Sequence, residues 1–377
     1  MSNKKQLLTH SRQDAFKTCR KRHWFAYEKG LRRIDDAKAL RMGSAFHAAV
    51  EALGNNSNLN EMCRVVRSQY DCCPASVDAN EWKLECETVL RIACAYQWRW
   101  QSHGLEYIAV EREFEIPLAN PATGKRTSSF NLAGKIDAIV RIDGRLAVKE
   151  SKLLGDDIGS ESSLWKRLRI DHQISLYMLA ARKLGYQVET VLYDVARKPT
   201  IQPNAVAVLD ELGAKIVLNE HGARVRTERG QWRQTGDKEK GYVLQTRAMS
   251  VDEWGDKLTA DICERPDFYF ARVEVARLDQ DLAEYEAELW EIQLAIRAAQ
   301  KSDHWYRTVN KNTCGYCPYF DVCASGMQLS DTPPDGFEFV YDLHPELGRI
   351  SDGNDSPAKT AASPAAPKRP EPEPCYF

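Results

Sequence analysis

The stretch GKIDAIVRIDGRLAVKESK (134–152) carries three charged residues with the types and spacing of a hydrolytic metal site. Asp137 lies in an apolar, strand-like run between Ile136 and Ile139. Glu150 and Lys152 come after Asp143-Gly144, a dipeptide that is a strong two-residue hairpin signal. A turn at 143–144 brings residue 137 level with residue 150. The i, i+2 spacing then puts Glu150 and Lys152 on one face of the partner strand. Two carboxylates and an ammonium inside an apolar hairpin are costly to bury unless something compensates. A hard cation, Mg2+ or Mn2+, held by Asp137 and Glu150 would do so. Lys152 would then position or deprotonate a metal-bound water, or stabilise charge on a pentavalent phosphorane. The competing reading is an edge hairpin whose charges face water.

A second constellation lies in NTCGYCPYFDVC (312–323), where Cys314, Cys317 and Cys323 form C-x2-C-x5-C. Tetrahedral zinc and cubane iron–sulfur sites usually take four protein ligands. No further cysteine and no suitably spaced histidine follows before the tail, so both metals stay open and a ligand is missing. A third feature is the basic run Lys17, Arg20, Lys21, Arg22, Lys29, Arg32 and Arg33, set against Glu28 and interleaved with Phe16, Trp24, Phe25 and Tyr27. It reads either as a solvated helix face or as a phosphate-binding patch with stacking groups.

The elements that must position these residues are legible in outline. Residues 11–29 read as a helix closed near Gly30, and 42–53 as a second helix carrying Gly43 and His47. A lone helical histidine is usually structural, although neutral imidazole is a regular metal ligand. A helix over 81–100 precedes strand-like runs at 106–118, 130–142 and 145–151. A helix over 162–184 would align Arg169, Gln173 and Tyr177 as a polar stripe beside the carboxylates, able to contact a DNA backbone. A strand over 188–197 and a mixed segment from 198 to 245 follow, the latter without an internal repeat. Ser250 and Glu253 make a capping box for a helix to about Cys263. A strand over 268–276 and a long helix over 278–300 complete the pattern.

At 377 residues the chain suits one elaborated domain or two smaller ones, and a net charge of −2 does not mark the whole chain as a nucleic-acid binder. No apolar run approaches the roughly 18 residues of a membrane span, and the N-terminus lacks the apolar core of a signal peptide. The expectation is a cytoplasmic protein with no membrane partner, whose eleven cysteines are core residues or metal ligands rather than disulfides. The composition of Ser351–Pro374 predicts disorder.

Taken together, Gly43 and His47 (G-x3-H), GKID with Asp137, ESK with Glu150 and Lys152, and Gln173 and Tyr177 (Q-x3-Y) resemble the PD-(D/E)XK nuclease superfamily, in its RecB-like branch. The cysteines, with SRQDAFKTCRKRHWFAYEKGLR upstream, resemble its iron–sulfur members: AddB-type nuclease domains, CRISPR-associated exonucleases and phage exonucleases. The resemblance implies an α/β fold, a mixed central sheet flanked by helices in a restriction-endonuclease-like core, with a helical N-terminal part and an iron–sulfur clasp. It implies a nuclease domain over 1–330, elaborated at about 198–300, and a mostly disordered Pro/Ala-rich tail over 331–377.

It further implies that His47, Asp137 and Glu150, with the Ser151 carbonyl, hold the catalytic Mg2+ or Mn2+, and that Lys152 is the catalytic lysine. Arg20, Arg22, Arg169, Gln173 and Tyr177 would support the site or contact DNA. Cys19, Cys314, Cys317 and Cys323 would hold a four-iron cluster ([4Fe–4S]), a three-plus-one split that suits zinc less well. The implied function is an exonuclease of recombination, repair or phage DNA processing in a bacterial or phage-infected cell. DNA ends or single strands would be its substrate, with a helicase or annealing protein as a possible partner. The rival is a non-catalytic iron–sulfur subunit of a larger DNA-processing complex. One departure from the family pattern is Ser151 and Leu153, where an aromatic residue and a threonine are common.

Overall fold

A computed structural model describes residues 5–345 and 347; the expected disordered segment from Ser351 to Pro374 lies outside the described residues. Strand β1 (Gln6–Leu8) leads into helix α1 (His10–Thr18), capped by the Thr9 hydroxyl, which accepts the Arg12 N–H at 3.3 Å. The single helix expected over 11–29 is broken. Cys19 adopts an extended conformation (φ −162°, ψ 121°), and the chain then re-forms a short helix α2 (Arg20–His23) that runs into a π-helical turn, Trp24–Glu28. Strand β2 (Leu31–Arg33), helix α3 (Lys38–Gly54), helix α4 (Leu59–Ser68) and helix α5 (Ala79–Trp100) follow.

Strands β3 (Glu106–Ala119), β4 (Arg126–Ile142) and β5 (Arg145–Leu154) form an antiparallel meander, and the β4–β5 turn is made by Asp143 and Gly144, both at positive φ (48° and 82°). That geometry is the mirror-image turn that matches strand twist, which is why Asp-Gly marks it. The helix expected over 162–184 is instead two: α6 (Ser163–Leu168) and α7 (His172–Lys183). The Asp171 carboxylate accepts the N–H groups of Gln173 and Ile174 (2.8 and 3.1 Å), so a new N-cap interrupts the run. Strand β6 (Val188–Arg197) then enters the sheet parallel to β5.

Residues 206–247 carry four two-residue strands, β7 (Val206–Ala207), β8 (Val217–Leu218), β9 (Val243–Leu244) and β10 (Thr246–Arg247). Contrary to the repeat-free expectation, three similar turns follow one another here: Asp210–Gly213, Asn219–Gly222 and Thr227–Gly230, each with its glycine at φ 75–79°. Each turn closes on the same bond, Asp210 N–H to Ala214 O, Asn219 N–H to Ala223 O and Thr227 N–H to Gln231 O (2.8–2.9 Å). Successive turns are laddered by Ile216 N–H to Val208 O, Val225 N–H to Val217 O and Arg233 N–H to Val225 O (2.9–3.0 Å). The Ser250–Glu253 capping box opens α8 (Val251–Glu264) as expected. A helical turn α9 (Pro266–Tyr269), strand β11 (Phe270–Ala276) and helix α10 (Asp279–Ser302) follow. Two short helices, α11 (Lys311–Gly315) and α12 (Phe320–Ala324), and strand β12 (Phe337–Phe339), paired with β2, complete the described chain.

The architecture is mixed α/β: a central mixed sheet flanked by helices, ordered β1-β4-β5-β6-β11 with β3 on the other edge of β4. One face is covered by α7 and α10, whose Ile174, Met178, Leu282 and Leu289 pack with Ile136, Ile139 and Val148 of the sheet. The other face is covered by α3, α5 and α8 through Phe46, Ala49, Tyr96 and Leu258. Along β5 the residues alternate between these faces with the strand period of two, Val148 and Leu154 on one and Leu153 on the other, whereas Ile136 and Ile139 of β4, three apart, share a face. One feature of β4 makes room for a site. Its edge away from β3 pairs with β1 at Phe130–Leu132 and with β5 at Ala138–Ile142, so the residues between, Asp137 among them, have no strand partner on that side among the described residues.

Candidate active site and cysteine cavity

The gap in the sheet gathers the residues predicted from sequence. Asp137 ends the unpaired stretch of β4, and its Oδ2 accepts the Ser151 main-chain N–H at 2.9 Å, bridging to β5 where a ladder bond is missing. His47, on α3, places Nδ1 3.5 Å from the same oxygen. Glu150 and Lys152 face the α7 side, and Lys152 Nζ contacts Glu150 Oε1 as an ion pair. Glu150 is 1% exposed, yet neither of its oxygens accepts a well-directed hydrogen bond among the described residues. A buried carboxylate left so is costly in an apolar interior.

The electrostatics follow from that burial. Desolvation, reinforced by the neighbouring Asp137 charge, pushes the Glu150 carboxyl up to about 8 despite Lys152. Burial disfavours the Lys152 ammonium, but Glu150 and Asp137 outweigh it and hold the lysine above its usual range. Burial lowers the pKa of His47 against the pull of Asp137, which keeps the imidazole neutral with a lone pair to give. Two carboxylates, a neutral imidazole and a cation, with no well-directed hydrogen bond to either Glu150 oxygen among the described residues, suit a hard divalent ion. As the side chains stand, however, no three His, Cys, Asp or Glu among the described residues close on one point tightly enough to hold a metal.

Gln173 and Tyr177 sit together on α7, Gln173 Nε2 donating to the Tyr177 hydroxyl at 3.1 Å. Tyr177 is buried, and desolvation with the Glu150 and Asp137 charges raises its pKa. Arg169 does not share their stripe: it is the exposed C-cap of α6, on the far side of the Asp171 break. Arg20 lies over the Phe16 and Tyr306 rings (4.9 and 4.5 Å to the centroids).

Three residues near the site escape a sequence reading. Glu51 lies one helical turn beyond His47, a spacing that could have flagged it. Glu111 stands opposite Asp137 in the β3–β4 register at φ 50°, paired with Lys135. Burial raises its pKa, and Asp137 and Glu51 add to the effect; only the register of a distant strand reveals it. His10, at the start of α1, feels Asp171 and Lys152, and burial pushes it down to about 4.

The four predicted cysteines, although Cys19 is far from the others in sequence, line one cavity of about 280 Å³. The break at Cys19 turns its sulfur toward Thr308, whose N–H donates to it at 3.4 Å. Arg307 Nε donates to Cys323 Sγ at 3.1 Å. Lys21, Arg22 and Arg307 line the cavity too, and no carboxylate among the described residues does. Its other walls include Phe25 and Tyr319, part of a small core that joins the π-turn to α12, and the half-exposed Phe320.

No helix among the described residues is long and apolar enough to cross a membrane. No curated protein matches the chain. Among solved structures, the chain is similar to a candidate exonuclease from Eubacterium rectale, with 11% identity over 87% of this chain and 90% of that one and a TM-score of 0.40. It is also similar to the protein SSO0001, with 13% identity over 84% of this chain and 97% of that one and a TM-score of 0.27. The family model of the PD-(D/E)XK nuclease superfamily matches residues 7–324, which span Cys19, the gap in the sheet and Cys323; the chain belongs to that superfamily.

Proposed function

We propose that this protein is a Mg2+- or Mn2+-dependent deoxyribonuclease of the RecB-like branch that hydrolyses phosphodiester bonds at DNA ends or in single strands. The observation that carries this reading is Glu150: a buried carboxylate with no well-directed hydrogen bond among the described residues, beside Asp137, His47 and Lys152, at a gap in the sheet. His47, Asp137, Glu150 and the Ser151 carbonyl hold the ion, which when bound supplies Lewis-acid polarisation of the phosphate and a water of lowered pKa. Lys152 keeps its cation where charge accumulates on the phosphoryl oxygens. Gln173 and Tyr177 wall the site on the α7 side, and Arg20, Arg22 and Arg169 contact the DNA backbone. The preference for an exonuclease of recombination, repair or phage DNA processing, working with a helicase or annealing protein, rests on the family resemblance.

The same reading gives Cys19, Cys314, Cys317 and Cys323 a [4Fe–4S] cluster. It is supported by four thiols on one cavity and by Lys21, Arg22 and Arg307 around it without a carboxylate, a setting for an anionic four-thiolate cluster. The cluster's role is structural, tying the N-terminal helices to the end of a nuclease domain over residues 1–330. The test is cleavage of single- and double-stranded ends with Mg2+ or Mn2+. Lys152→Ala should lose cleavage and keep DNA binding, and equal activity in that variant would overturn the assignment.

A further inference from the structure

Directly behind the Glu150-Ser151-Lys152 segment, on the face covered by α3 and α5, runs a buried row of charges that the proposed chemistry does not use. Ser151, Asp194 and Arg272 are register partners across three adjacent strands, β5, β6 and β11. Asp194 is 0% exposed. Its Oδ2 accepts Arg272 Nε at 3.0 Å and the Tyr96 hydroxyl at 2.5 Å, and pairs with Lys149 Nζ at 3.2 Å. Lys149, 1% exposed, completes the row by donating to the Ser151 hydroxyl. Arg272 Nη2 also donates to the Tyr96 hydroxyl at 3.1 Å.

Such a row is an odd choice for stability alone. A buried ion pair gives up solvation that well-packed apolar groups of similar volume would not. Here two cations share one carboxylate, and Asp194 Oδ1 has no hydrogen-bond partner among the described residues. What the row does achieve is geometric. It fixes Ser151 from behind by its side chain, while the Ser151 main-chain N–H holds Asp137 from the front at 2.9 Å. Lys149 and Ser151 also line the small cleft shared with His47 and Asp137. A phenylalanine or tryptophan at 151 would offer Lys149 no acceptor atom, so the serine and the buried lysine make sense together.

We infer that Lys149, with Asp194 and the Ser151 hydroxyl, is a positioning device. Through Ser151 it sets the spacing between Asp137 and Glu150 across the gap in the sheet, and so the affinity of the site for a divalent ion. The inference rests on the proposed metal site but not on DNA cleavage. Groups that orient metal ligands from behind typically change affinity or activity by 10–100-fold when removed.

Calorimetric titration of the metal-free full-length protein with Mn2+ tests it. Ser151→Ala keeps the main-chain N–H and carbonyl and deletes only the acceptor of Lys149; it should weaken Mn2+ binding by roughly tenfold. Lys149→Met should do the same. Leu258→Ala, a core truncation in α8, should lower the melting temperature and leave Mn2+ affinity unchanged. Wild-type affinity in Ser151→Ala would overturn the inference, as would a wild type that binds no Mn2+. A wild type that binds Mn2+ but cleaves no DNA, with Ser151→Ala weakened, would sink the nuclease proposal and leave the positioning role standing.

Discussion

Loading the metal-free protein with Mn2+ at pH 7 should expel most of one proton, and Glu150 is its source. Burial and the Asp137 charge push Glu150 up to about 8. Well below pH 8 most molecules then carry the proton, and well above it most have lost it. Ligation needs the carboxylate, so the proton must leave. The neighbours do not blur the count: Lys152 is held above its usual range and stays charged, while burial keeps His47 neutral. The apparent affinity should therefore rise about tenfold per pH unit up to pH 8 and then level off. Calorimetry at each pH in two buffers that both hold that pH but differ in ionisation heat measures the released protons as the slope of observed heat against that heat. A slope approaching one is expected at pH 7 and one approaching zero at pH 9. A slope near zero at pH 7 would refute the electrostatic account of the site.

The same shift sets a stability trend in the metal-free protein. The folded-state pKa of Glu150 lies above its ordinary value of 4.5, so between 4.5 and about 8 the folded state binds the extra proton. Glu150 therefore makes stability fall as pH rises through that window, with its contribution flat above it. Glu150→Gln, which mimics the protonated acid, should flatten that part of the profile in urea melts, and an unchanged slope would count against the shift. Asp137→Ala should abolish metal-dependent cleavage while DNA retention on a filter survives; residual wild-type turnover would remove Asp137 from the chemistry. Cys19→Ala should cost the brown chromophore and much of the soluble yield, and a brown, folded variant would show that the fourth ligand lies elsewhere. Gly134→Ala would bring a Cβ to 2.7 Å from Phe114 Cζ, an overpacking expected to cost about 1–3 kcal/mol in thermal melts.

What was legible in the sequence was what local chemistry dictates. Asp143-Gly144 announced the hairpin, Ser250 and Glu253 announced α8, and the i, i+2 spacing of Glu150 and Lys152 announced their shared face. The misses have physical causes of two kinds. Asp171 is of a residue type that caps helices, but the apolar periodicity on either side of it reads as one helix and masks the break between α6 and α7. The three turns after Val208 repeat only their turn residues, so their period is faint against unrelated strand residues. The other misses are non-local. Cys19 leaves the helix to face Thr308, and Glu111 meets Asp137 only through strand register. Neither arrangement is encoded within a window that propensity or periodicity can read.

The docking of the N-terminal segment has a consequence in time. Gln13 accepts the Tyr285 hydroxyl, the Lys21 N–H donates to Tyr306 O, the Leu31 carbonyl accepts the Tyr319 hydroxyl, and β2 pairs with β12. Every one of these partners is synthesised near the end of the chain. At about 5–20 residues per second, Lys21 and Leu31–Arg33 must wait roughly 15–60 s before these partners exist, although β1 can pair with β4 far sooner. During that wait the segment presents Phe16, Phe25 and Leu31, buried in the finished protein, to the surrounding solution. A chain stalled or truncated before Tyr319 would therefore carry an exposed, sticky N-terminus around a nearly complete sheet. Synthesis rate and early chaperone contact thus belong to the assembly of this nuclease fold as much as its core packing does.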